Sequence, residues 1–453
     1  MGKLFGTDGV RGVANTELTA ELAYKLGKYG AYVLTRHSDG NQTKILVGRD
    51  TRISGDMLES ALVAGILSTG ADAYIVGEIP TPAIAYLTRK YGADAGVVIS
   101  ASHNSFEYNG IKFFNKSGFK LSDEIENEIE SYILGGIELE DIPSGVSLGR
   151  AIHEVENAES DYINFAAESA MADLSGLKIA IDCANGASFK VAPATLRKLG
   201  IEVYTISDKP DGLNINFECG STHIEQLQAY VKEADVDAGI AFDGDADRLI
   251  AVDENGNVVD GDVIMGLIAM HLKEKGELTQ NLLVGTVMSN LGLIQSMSKH
   301  GIDVLQTKVG DRYVLEKMIE TGGCIGGEQS GHIILFNHNT TGDGLVSAIA
   351  LLSVLKLSGK KLSELAEEIT ILPQVLVNVK VKNEYKKTLT DIKEVAQVAA
   401  EIEKKYQGTG RLLLRPSGTE PLVRIMIEGT DYDEIKKDAE KLARAVETAM
   451  ANL

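Results

Sequence analysis

The sequence predicts an α/β protein of several domains, and two observations support that prediction. A chain of 453 residues exceeds the size at which a single hydrophobic core keeps growing. Strand-like and helix-like segments also alternate in three successive rounds, which is typical of βαβ units with a largely parallel sheet. We therefore expect three similar mixed α/β domains over residues 1–154, 155–255 and 256–370, followed by a smaller α+β domain over residues 371–453.

The first round of elements ends near residue 100. Thr19 is suited to cap the N-terminus of a helix in which Leu22 and Leu26 recur at helical spacing. The segments that follow predict strands at 44–48, 74–77 and 95–100, and helices at 54–69 and 82–91.

The next two rounds repeat this order with different residues, and the end of the chain departs from it. Strands are predicted at 178–182, 202–206, 238–242, 282–285 and 303–306, and helices at 192–199 and 291–300. A long alternating strand at 373–382 then begins a β-α-β-β-α order. In this order, helices are predicted at 389–406 and 432–450, and strands at 411–414 and 423–428. This order predicts a small domain with an antiparallel sheet.

Composition disfavours several classes of protein. The formal net charge of −21 argues against nucleic acid and anionic membranes as partners, because both bind basic surfaces. No apolar run is long enough to span a bilayer, and residues 1–12 lack an apolar signal core, so we expect a cytoplasmic protein. The three cysteines lack metal-ligand spacing and are expected to be small buried hydrophobes. Because the net charge is strongly negative, any site for an anionic phosphate must be local, formed by a few basic groups and backbone amides.

Two short segments predict the chemistry. Ser102 directly follows a buried-looking strand, and Asp243, Asp245 and Asp247 directly follow another. Ligands of open α/β sheets bind beyond the carboxyl ends of the strands, so the serine and the carboxylates can share a cleft. A serine that carries phosphate beside a divalent cation is equipped for phosphoryl transfer, because the cation neutralises charge on the moving group.

Other interpretations of these segments remain open at this stage. A lone serine after a strand is usually a cap or turn residue, and the adjacent His103 is weak evidence for a catalytic pair. An EF-hand competes for the carboxylates, because Glu254 stands at the twelfth position of such a loop. Arg248, however, stands where that loop requires glycine, and residues 249–252 resemble a strand. Solvated loop acids are a further alternative, whereas carboxylates with a phosphoserine oxygen favour Mg²⁺ over zinc.

Two glycine-containing loops offer groups that could hold a substrate. Residues 326–332 present Glu328 and Ser330, which suit sugar hydroxyls, although the segment can also be a tight turn between strands. Residues 415–420, with Arg424 beyond them, combine arginine, hydroxyl groups and glycine. That composition suits a phosphate that is not transferred, although an ordinary turn is the alternative.

With these loops in this order, the chain closely resembles the α-D-phosphohexomutase superfamily over essentially its whole length. Residues 4–12, 309–313 and 327–332 are typical of the bacterial members that act on glucosamine phosphate. The resemblance implies three mixed α/β domains around a central cleft. It also implies a mobile C-terminal α+β domain related to the TATA-binding-protein fold.

The resemblance further implies a role for each candidate residue. Ser102 would be the phosphoserine, and the three aspartates would bind one Mg²⁺ together with an oxygen of its phosphate. Lys112 and Arg11 would assist proton transfer, with His103 as a weaker candidate. The residues implied to line the catalytic side or to bind the phosphosugar are Thr7, Arg248, Glu328, Ser330, His332, Arg415, Ser417, Gly418, Thr419 and Arg424.

The implied activity is reversible conversion of glucosamine 6-phosphate to glucosamine 1-phosphate. Glucosamine 1,6-bisphosphate would be its intermediate and primer, and UDP-N-acetylglucosamine and cell-wall precursors would lie downstream. The alternative within the superfamily is a phosphomannomutase or phosphoglucomutase. A metal-dependent phosphatase and a non-catalytic sugar-phosphate sensor are further hypotheses. The expected partner is a phosphosugar rather than nucleic acid or membrane, and a homodimer is a hypothesis without a sequence pattern behind it.

Overall fold

The computed structural model describes residues 4–6, 8–36, 42–139, 142–382, 384–386, 388–389, 392–416 and 421–451. The chain divides into two compact units. The larger unit comprises Met1–Met288 and His300–Glu368, and the smaller comprises Ser289–Lys299 and Ile369–Leu453. Among the described residues, the larger unit contains three sheets and the smaller unit contains one.

The first sheet of the larger unit has six strands. Its elements are β1 (Val10–Val13), α1 (Ala20–Thr35), β2 (Lys44–Arg49), α2 (Gly55–Leu67), β3 (Asp72–Glu78), α3 (Thr81–Lys90), β4 (Ala95–Ile99), β5 (Tyr108–Asn115), α4 (Asp123–Gly135) and β6 (Ala151–His153). The strand order is β1-β5-β4-β2-β3-β6, with β1 and β5 antiparallel to their neighbours and the rest parallel. All five residues of β4 are buried, as a parallel strand covered on both faces requires.

The second sheet has five strands and repeats this plan. Its elements are α5 (Val155–Glu168), β7 (Lys178–Asp182), α6 (Val191–Lys198), β8 (Glu202–Ile206), α7 (Glu225–Glu233), β9 (Ala238–Phe242), β10 (Leu249–Asp253) and β11 (Val258–Val259). The order is β11-β10-β9-β7-β8, in which β7, β8 and β9 are parallel and β10 returns antiparallel to β9. The strand predicted at 249–252 is therefore confirmed, and it is incompatible with an EF-hand.

The third sheet has four strands. Its region contains α8 (Gly261–Glu274), β12 (Leu282–Thr286), α9 (Leu291–Lys299), β13 (Asp303–Thr307), α10 (Asp311–Thr321), β14 (Ile325–Gly327), β15 (Ile333–Leu335), α11 (Gly344–Ser358) and α12 (Leu362–Ala366). The order is β13-β12-β14-β15, and only β15 is antiparallel to its neighbour. Helix α11 is buried over its first twelve residues, which explains its almost uniformly apolar sequence. Helix α9 belongs to the smaller unit.

The smaller unit confirms the β-α-β-β-α prediction. It contains β16 (Gln374–Lys380), α13 (Lys393–Lys405), β17 (Arg411–Pro416), β18 (Leu422–Glu428) and α14 (Tyr432–Ala451). The three strands form an antiparallel sheet in the order β16-β18-β17. The apolar faces of α13 and α14 pack on this sheet to form a separate core. The smaller unit therefore has an α+β fold with its own core.

The four candidate loops share one position in their sheets. Each connects two antiparallel neighbours, namely β4 to β5, β9 to β10, β14 to β15 and β17 to β18. In the first three sheets the strand before the loop is parallel to the rest of the sheet, so the loop begins at its carboxyl end. This is where open α/β sheets bind ligands.

Several local predictions are also confirmed. The Thr19 hydroxyl accepts a hydrogen bond from the Leu22 N–H and caps α1. All three cysteines are buried and free. None of the helices in the described part of the chain is long and apolar enough to cross a membrane.

Candidate active site

Ser102 lies in the tight turn between β4 and β5. Its backbone is left-handed (φ 52°), and only 1% of the residue is exposed. The Ser102 hydroxyl donates a hydrogen bond of 2.6 Å to Asp243 Oδ2, while its N–H donates to Ser100 Oγ over 3.0 Å. We call residues 100–107 the serine loop and residues 243–248 the metal loop. Their residues Ser102 and Asp243, 141 positions apart in sequence, are therefore in direct contact. The structure therefore brings the two sequence segments together.

The loop between β9 and β10 brings three carboxylates together. Asp243, Asp245 and Asp247 are all buried, and one oxygen from each lies within 4.8 Å of the others. Burial, reinforced by the other two carboxylates, raises the pKa of Asp243 well above its usual range. Among the described residues, Asp245 Oδ1 and Asp247 Oδ1 are buried without a hydrogen-bond partner. Buried polar atoms in folded proteins normally have a hydrogen-bond partner, so these two oxygens require an explanation.

These features fit a hard divalent cation. The donors are all carboxylate oxygens, which suit Mg²⁺ or Ca²⁺, and the site offers no nitrogen or sulfur ligand of a zinc type among the clustered residues. A cation would also offset the repulsion that raises the Asp243 pKa. The EF-hand interpretation is wrong, because the Glu254 carboxylate instead accepts hydrogen bonds from the N–H and the hydroxyl of Ser363.

Lys112 connects the metal loop to the N-terminal segment. Its ammonium group lies 2.9 Å from Asp245 Oδ2 and 2.9 Å from Asp8 Oδ2 and is almost completely buried. Burial favours the neutral amine, but the two carboxylates outweigh it and raise the pKa of Lys112. Burial also disfavours ionised Asp245, yet Lys112 holds the pKa of that carboxyl below its usual range. Arg11 contacts Asp8 as well, so the two basic side chains share this carboxylate.

His103 lies at the edge of hydrogen-bond distance from the serine. Its Nδ1 is 3.5 Å from Ser102 Oγ. Burial, together with the charges of Arg248 and Arg11, lowers the pKa of His103 to about 4, so its imidazole is neutral near pH 7. A neutral imidazole can accept a proton, which keeps His103 among the candidates for proton transfer.

The metal loop is also joined to the loop that carries the predicted sugar-binding residues. Backbone bridging pairs Arg248 with His332, and the Leu249 N–H donates to the Gly331 carbonyl over 3.0 Å. His332 Nδ1 lies 3.5 Å from Asp247 Oδ2. Burial opposes the charged imidazole, but Asp247 outweighs it and raises the pKa of His332 to about 9. His332 is therefore placed to orient a metal-loop carboxylate.

The two residues predicted to contact sugar hydroxyls are more accessible. Glu328 is half-buried, and its Oε1 accepts a hydrogen bond of 2.9 Å from the Gly310 N–H. Ser330 is exposed. Arg248 lies beside the metal loop, where its N–H donates to Asp243 Oδ1 over 3.2 Å. The larger unit thus brings Ser102, the aspartates, Lys112 and His332 into one connected network, with Glu328 and Ser330 on the turn that leads to His332.

The predicted phosphate-binding residues belong to the smaller unit. Arg415 and Arg424 are directly opposite each other on β17 and β18, so their side chains share one face of the sheet. The predictions for Thr7, Ser417, Gly418 and Thr419 lie outside the described residues.

Several residues of the network were not predicted from the sequence. The Thr81 hydroxyl donates to Asp245 Oδ2 over 2.7 Å, and Lys120 bridges Asp8 and Asp311, each at 2.5 Å. Asp8 and Asp311 lie inside the motifs 4–12 and 309–313, so those motifs were the available signal. Thr81 and Lys120 carry no such signal, because an isolated threonine or lysine has no distinctive pattern.

Close relatives decide the family. The chain is 59% identical over 447 residues to phosphoglucosamine mutase of Acetivibrio thermocellus, with 99% of both chains covered. It is 60% identical over 447 residues to phosphoglucosamine mutase of Clostridium novyi, again with 99% of both covered. The chain belongs to the phosphoglucosamine mutase family. As members of this family are phosphohexomutases, the protein is an enzyme of the isomerase class.

Domain-level comparisons agree with this assignment. Phosphoglucomutase/phosphomannomutase alpha/beta/alpha domains I, II and III match residues 2–139, 160–256 and 260–371, and the C-terminal domain of that family matches residues 376–445. The predicted fold class, with three mixed α/β domains and a small α+β domain, is thereby confirmed.

Solved structures share the fold at low sequence identity. A phosphoglucomutase/phosphomannomutase family protein of Burkholderia thailandensis superposes with a TM-score of 0.80 at 24% identity, covering 98% of this chain and 97% of that one. Aspergillus fumigatus N-acetylphosphoglucosamine mutase, solved in complex with GlcNAc-6P and magnesium, gives a TM-score of 0.70 at 18% identity and covers 99% and 96%. At these identities the comparison shows a common fold.

Proposed function

We propose that the protein interconverts glucosamine 6-phosphate and glucosamine 1-phosphate, and that Ser102 carries the phosphoryl group between them. One observation supports this most directly. The Ser102 hydroxyl bonds to Asp243 within a buried cluster of three carboxylates, in a chain 59% identical to a phosphoglucosamine mutase. A hydroxyl at a cation-binding cluster is the arrangement that phosphoryl transfer requires.

The reaction consists of two transfers in opposite directions. The bond between phosphorus and Ser102 Oγ breaks as a bond forms from phosphorus to the oxygen of the free 1-hydroxyl of glucosamine 6-phosphate. The 1-hydroxyl gives its proton to a base, and the departing Ser102 Oγ takes up a proton. The product is glucosamine 1,6-bisphosphate and free serine. The bisphosphate then turns end for end. The Ser102 hydroxyl gives its proton to a base as Oγ bonds to the 6-phosphoryl phosphorus, the bond between that phosphorus and O6 breaks, and O6 takes up a proton. The same serine and metal loop serve both transfers, so one buried site suffices.

The cofactor proposed for this site is one Mg²⁺ ion held by Asp243, Asp245 and Asp247 with an oxygen of phospho-Ser102. When bound, Mg²⁺ supplies positive charge that stabilises the transferring phosphoryl group. Lys112, kept cationic by its two carboxylate neighbours, adds to that stabilisation from the protein side. Arg11, which contacts the same Asp8 carboxylate as Lys112, is proposed to add positive charge there as well.

The remaining candidates are assigned to proton transfer and to substrate recognition. The resemblance favours Lys112 and Arg11 for proton transfer over His103, but Lys112 is held cationic by its carboxylate neighbours. We therefore propose the neutral His103, 3.5 Å from Ser102 Oγ, as a further proton acceptor. Glu328 and Ser330 bind sugar hydroxyls or the 2-amino group, with Arg248 and His332 beside them. The groups proposed to line the catalytic side or to hold the phosphate that is not transferred are Thr7, Arg415, Ser417, Gly418, Thr419 and Arg424.

The physiological proposals follow from this activity. Glucosamine 1-phosphate would feed synthesis of UDP-N-acetylglucosamine in the cytoplasm.

The domain boundaries are proposed to lie at residues 154, 255 and 370. A homodimer is proposed as the assembly, and light scattering of the purified protein would measure its mass directly.

Sugar specificity provides the test of the proposed function. We expect kcat/KM for glucosamine 6-phosphate to exceed the values for glucose and mannose 6-phosphates, with glucosamine 1,6-bisphosphate present as primer. Preference for mannose would contradict the assignment. Stoichiometric release of inorganic phosphate without need of a primer would indicate a phosphatase. Binding of glucosamine phosphate without turnover, and without phosphate on Ser102 by intact-mass and phosphosite mapping, would indicate a sensor.

A further inference from the structure

Two side chains from outside the serine loop hold its backbone. Arg52 Nη2 donates hydrogen bonds of 2.9 Å to the carbonyl oxygens of Ser102 and of Asn104. Asn216 Nδ2 donates to the same two carbonyls over 2.9 and 3.0 Å. The same pair of oxygens is therefore held twice, once by a guanidinium group and once by a carboxamide.

Arg52 is itself firmly oriented. It lies in the turn between β2 and α2 and is 1% exposed. Its Nε donates to Asp50 Oδ2 over 2.9 Å, and its backbone N–H donates to Asp50 Oδ1 over 3.0 Å. Because burying a charged pair is costly, this pair is poorly explained as a source of stability alone. The guanidinium instead donates its remaining hydrogen bonds to carbonyls of the serine loop.

Asn216 reaches the serine loop from the second sheet. It lies in the connection between β8 and α7, its backbone is left-handed (φ 58°), and it is 7% exposed. Gly244 of the metal loop packs against the hydrogen bond between Asn216 and Ser102. A Cβ at this position would lie 2.5 Å from the Ser102 carbonyl oxygen and 2.7 Å from Asn216 Nδ2, so a side chain would not fit. Three segments of the chain thus meet at one carbonyl oxygen.

We propose that Arg52 and Asn216 are positioning residues for phosphoryl transfer. By fixing the carbonyls of Ser102 and Asn104, they keep Ser102 in its left-handed conformation, which L-residues with a side chain adopt only when the surroundings require it. That conformation aims Oγ at Asp243. This inference rests on the proposed function, and neither residue contacts the reacting groups through its own side chain.

The consequence is a rate effect rather than a binding effect. Displacement of a reacting atom by about 1 Å can slow a reaction about a hundredfold. Loss of either donor should therefore slow transfer from phospho-Ser102. The metal carboxylates and residues 328–332, which we call the sugar loop, should remain as they are.

Two variants and one matched control test the proposal. Asn216→Gly removes the donor and tolerates the left-handed backbone. Arg52→Lys keeps the charge beside Asp50 but loses the guanidinium fork that reaches the carbonyls of Ser102, Asn104 and Ser105. Asn185→Gly is the control, because Asn185 is also left-handed (φ 47°) and its side chain bonds to Asn214 and Lys209 instead. Each protein is phosphorylated with glucosamine 1,6-bisphosphate in Mg²⁺ and mixed with glucosamine 6-phosphate in a rapid-quench instrument.

We expect transfer to be at least tenfold slower in Asn216→Gly and Arg52→Lys, with the dissociation constants for glucosamine 6-phosphate and Mg²⁺ within about threefold of wild type. The control should transfer within twofold of wild type. A merely structural role would lower the melting temperature and leave the rate unchanged below it. Should Arg52→Lys fail to fold, Asn216→Gly still decides the matter.

The outcomes separate this inference from the function on which it rests. Wild-type rates in Asn216→Gly, or an equal loss in Asn185→Gly, would overturn the positioning role while the enzyme remained a mutase. A wild-type protein that accepts no phosphate on Ser102 would overturn the proposed function and the inference together.

Discussion

The serine loop and the sugar loop occupy equivalent positions in their sheets but differ in how firmly they are held. Ser102 is 1% exposed, and its carbonyl and hydroxyl are both bonded to groups distant in sequence. Ser330 is exposed, and the half-buried Glu328 has one carboxylate oxygen bonded to a backbone N–H. In the proposed mechanism the first loop would perform the same chemistry in both half-reactions, so it can be rigid. In the same mechanism the second loop would receive a sugar in two orientations, which favours accessible groups.

The largest expected effect is on the serine loop. Ser102→Ala should reduce turnover by about a thousandfold or more, because it removes the hydroxyl that we propose carries the phosphoryl group. Steady-state mutase assays with intact-mass analysis provide the measurement. Ser117→Ala, in the exposed turn after β5, is the control and should leave the rate unchanged. Normal turnover in Ser102→Ala would refute the covalent role and, with it, the distinction between the two loops.

A smaller effect is expected one step from the metal ligands. Thr81→Val removes the 2.7 Å hydrogen bond to Asp245 Oδ2, and loss of such a supporting bond typically weakens metal affinity about tenfold or more. Thr88→Val is matched to it, since Thr88 lies on the same helix, is buried and bonds only locally to Ile84. Activity measured against Mg²⁺ concentration should shift for the first variant only. Equal shifts in both would mean that helix α3 rather than the hydrogen bond is responsible.

Glu328→Gln should have a moderate effect that falls on binding. The amide can still accept the hydrogen bond from Gly310, so the turn is preserved, but a charged acceptor for the substrate is lost. We expect KM for glucosamine 6-phosphate to rise about three- to tenfold, in line with a lost hydrogen bond to a charged group. A fall in kcat at unchanged KM would show that this loop, too, belongs to the chemical step.

Ser330→Ala should produce the smallest change. An exposed hydroxyl exchanges one hydrogen-bond partner for water, so we expect KM to change by about threefold or less with kcat unaffected. Initial rates over a range of glucosamine 6-phosphate concentrations measure both constants. A loss of turnover approaching that of Ser102→Ala would remove the contrast between the rigid and the accessible loop.

Much of the fold and part of the site could be predicted from the sequence. Alternation of strands and helices reports burial directly, so β4, β9 and the β-α-β-β-α order near the C-terminus were predicted correctly. The aspartates were identifiable because three carboxylates in five residues form a compact pattern. Thr81, Asn216 and Lys120 could not be identified, since each is a common residue whose significance depends on a partner more than 100 positions away.

Periodicity and residue chemistry, which are local properties, determined the elements, their order and the identity of the serine and the three acids. Convergence was decided only by the tertiary structure. In the first three sheets the antiparallel return strand places the loop at a carboxyl end. Long-range hydrogen bonds to Asp243, Arg52 and Asn216 then fix Ser102 in a backbone conformation that no local pattern predicts. The physical reason is that a strained, buried residue persists only where its surroundings supply the compensating bonds.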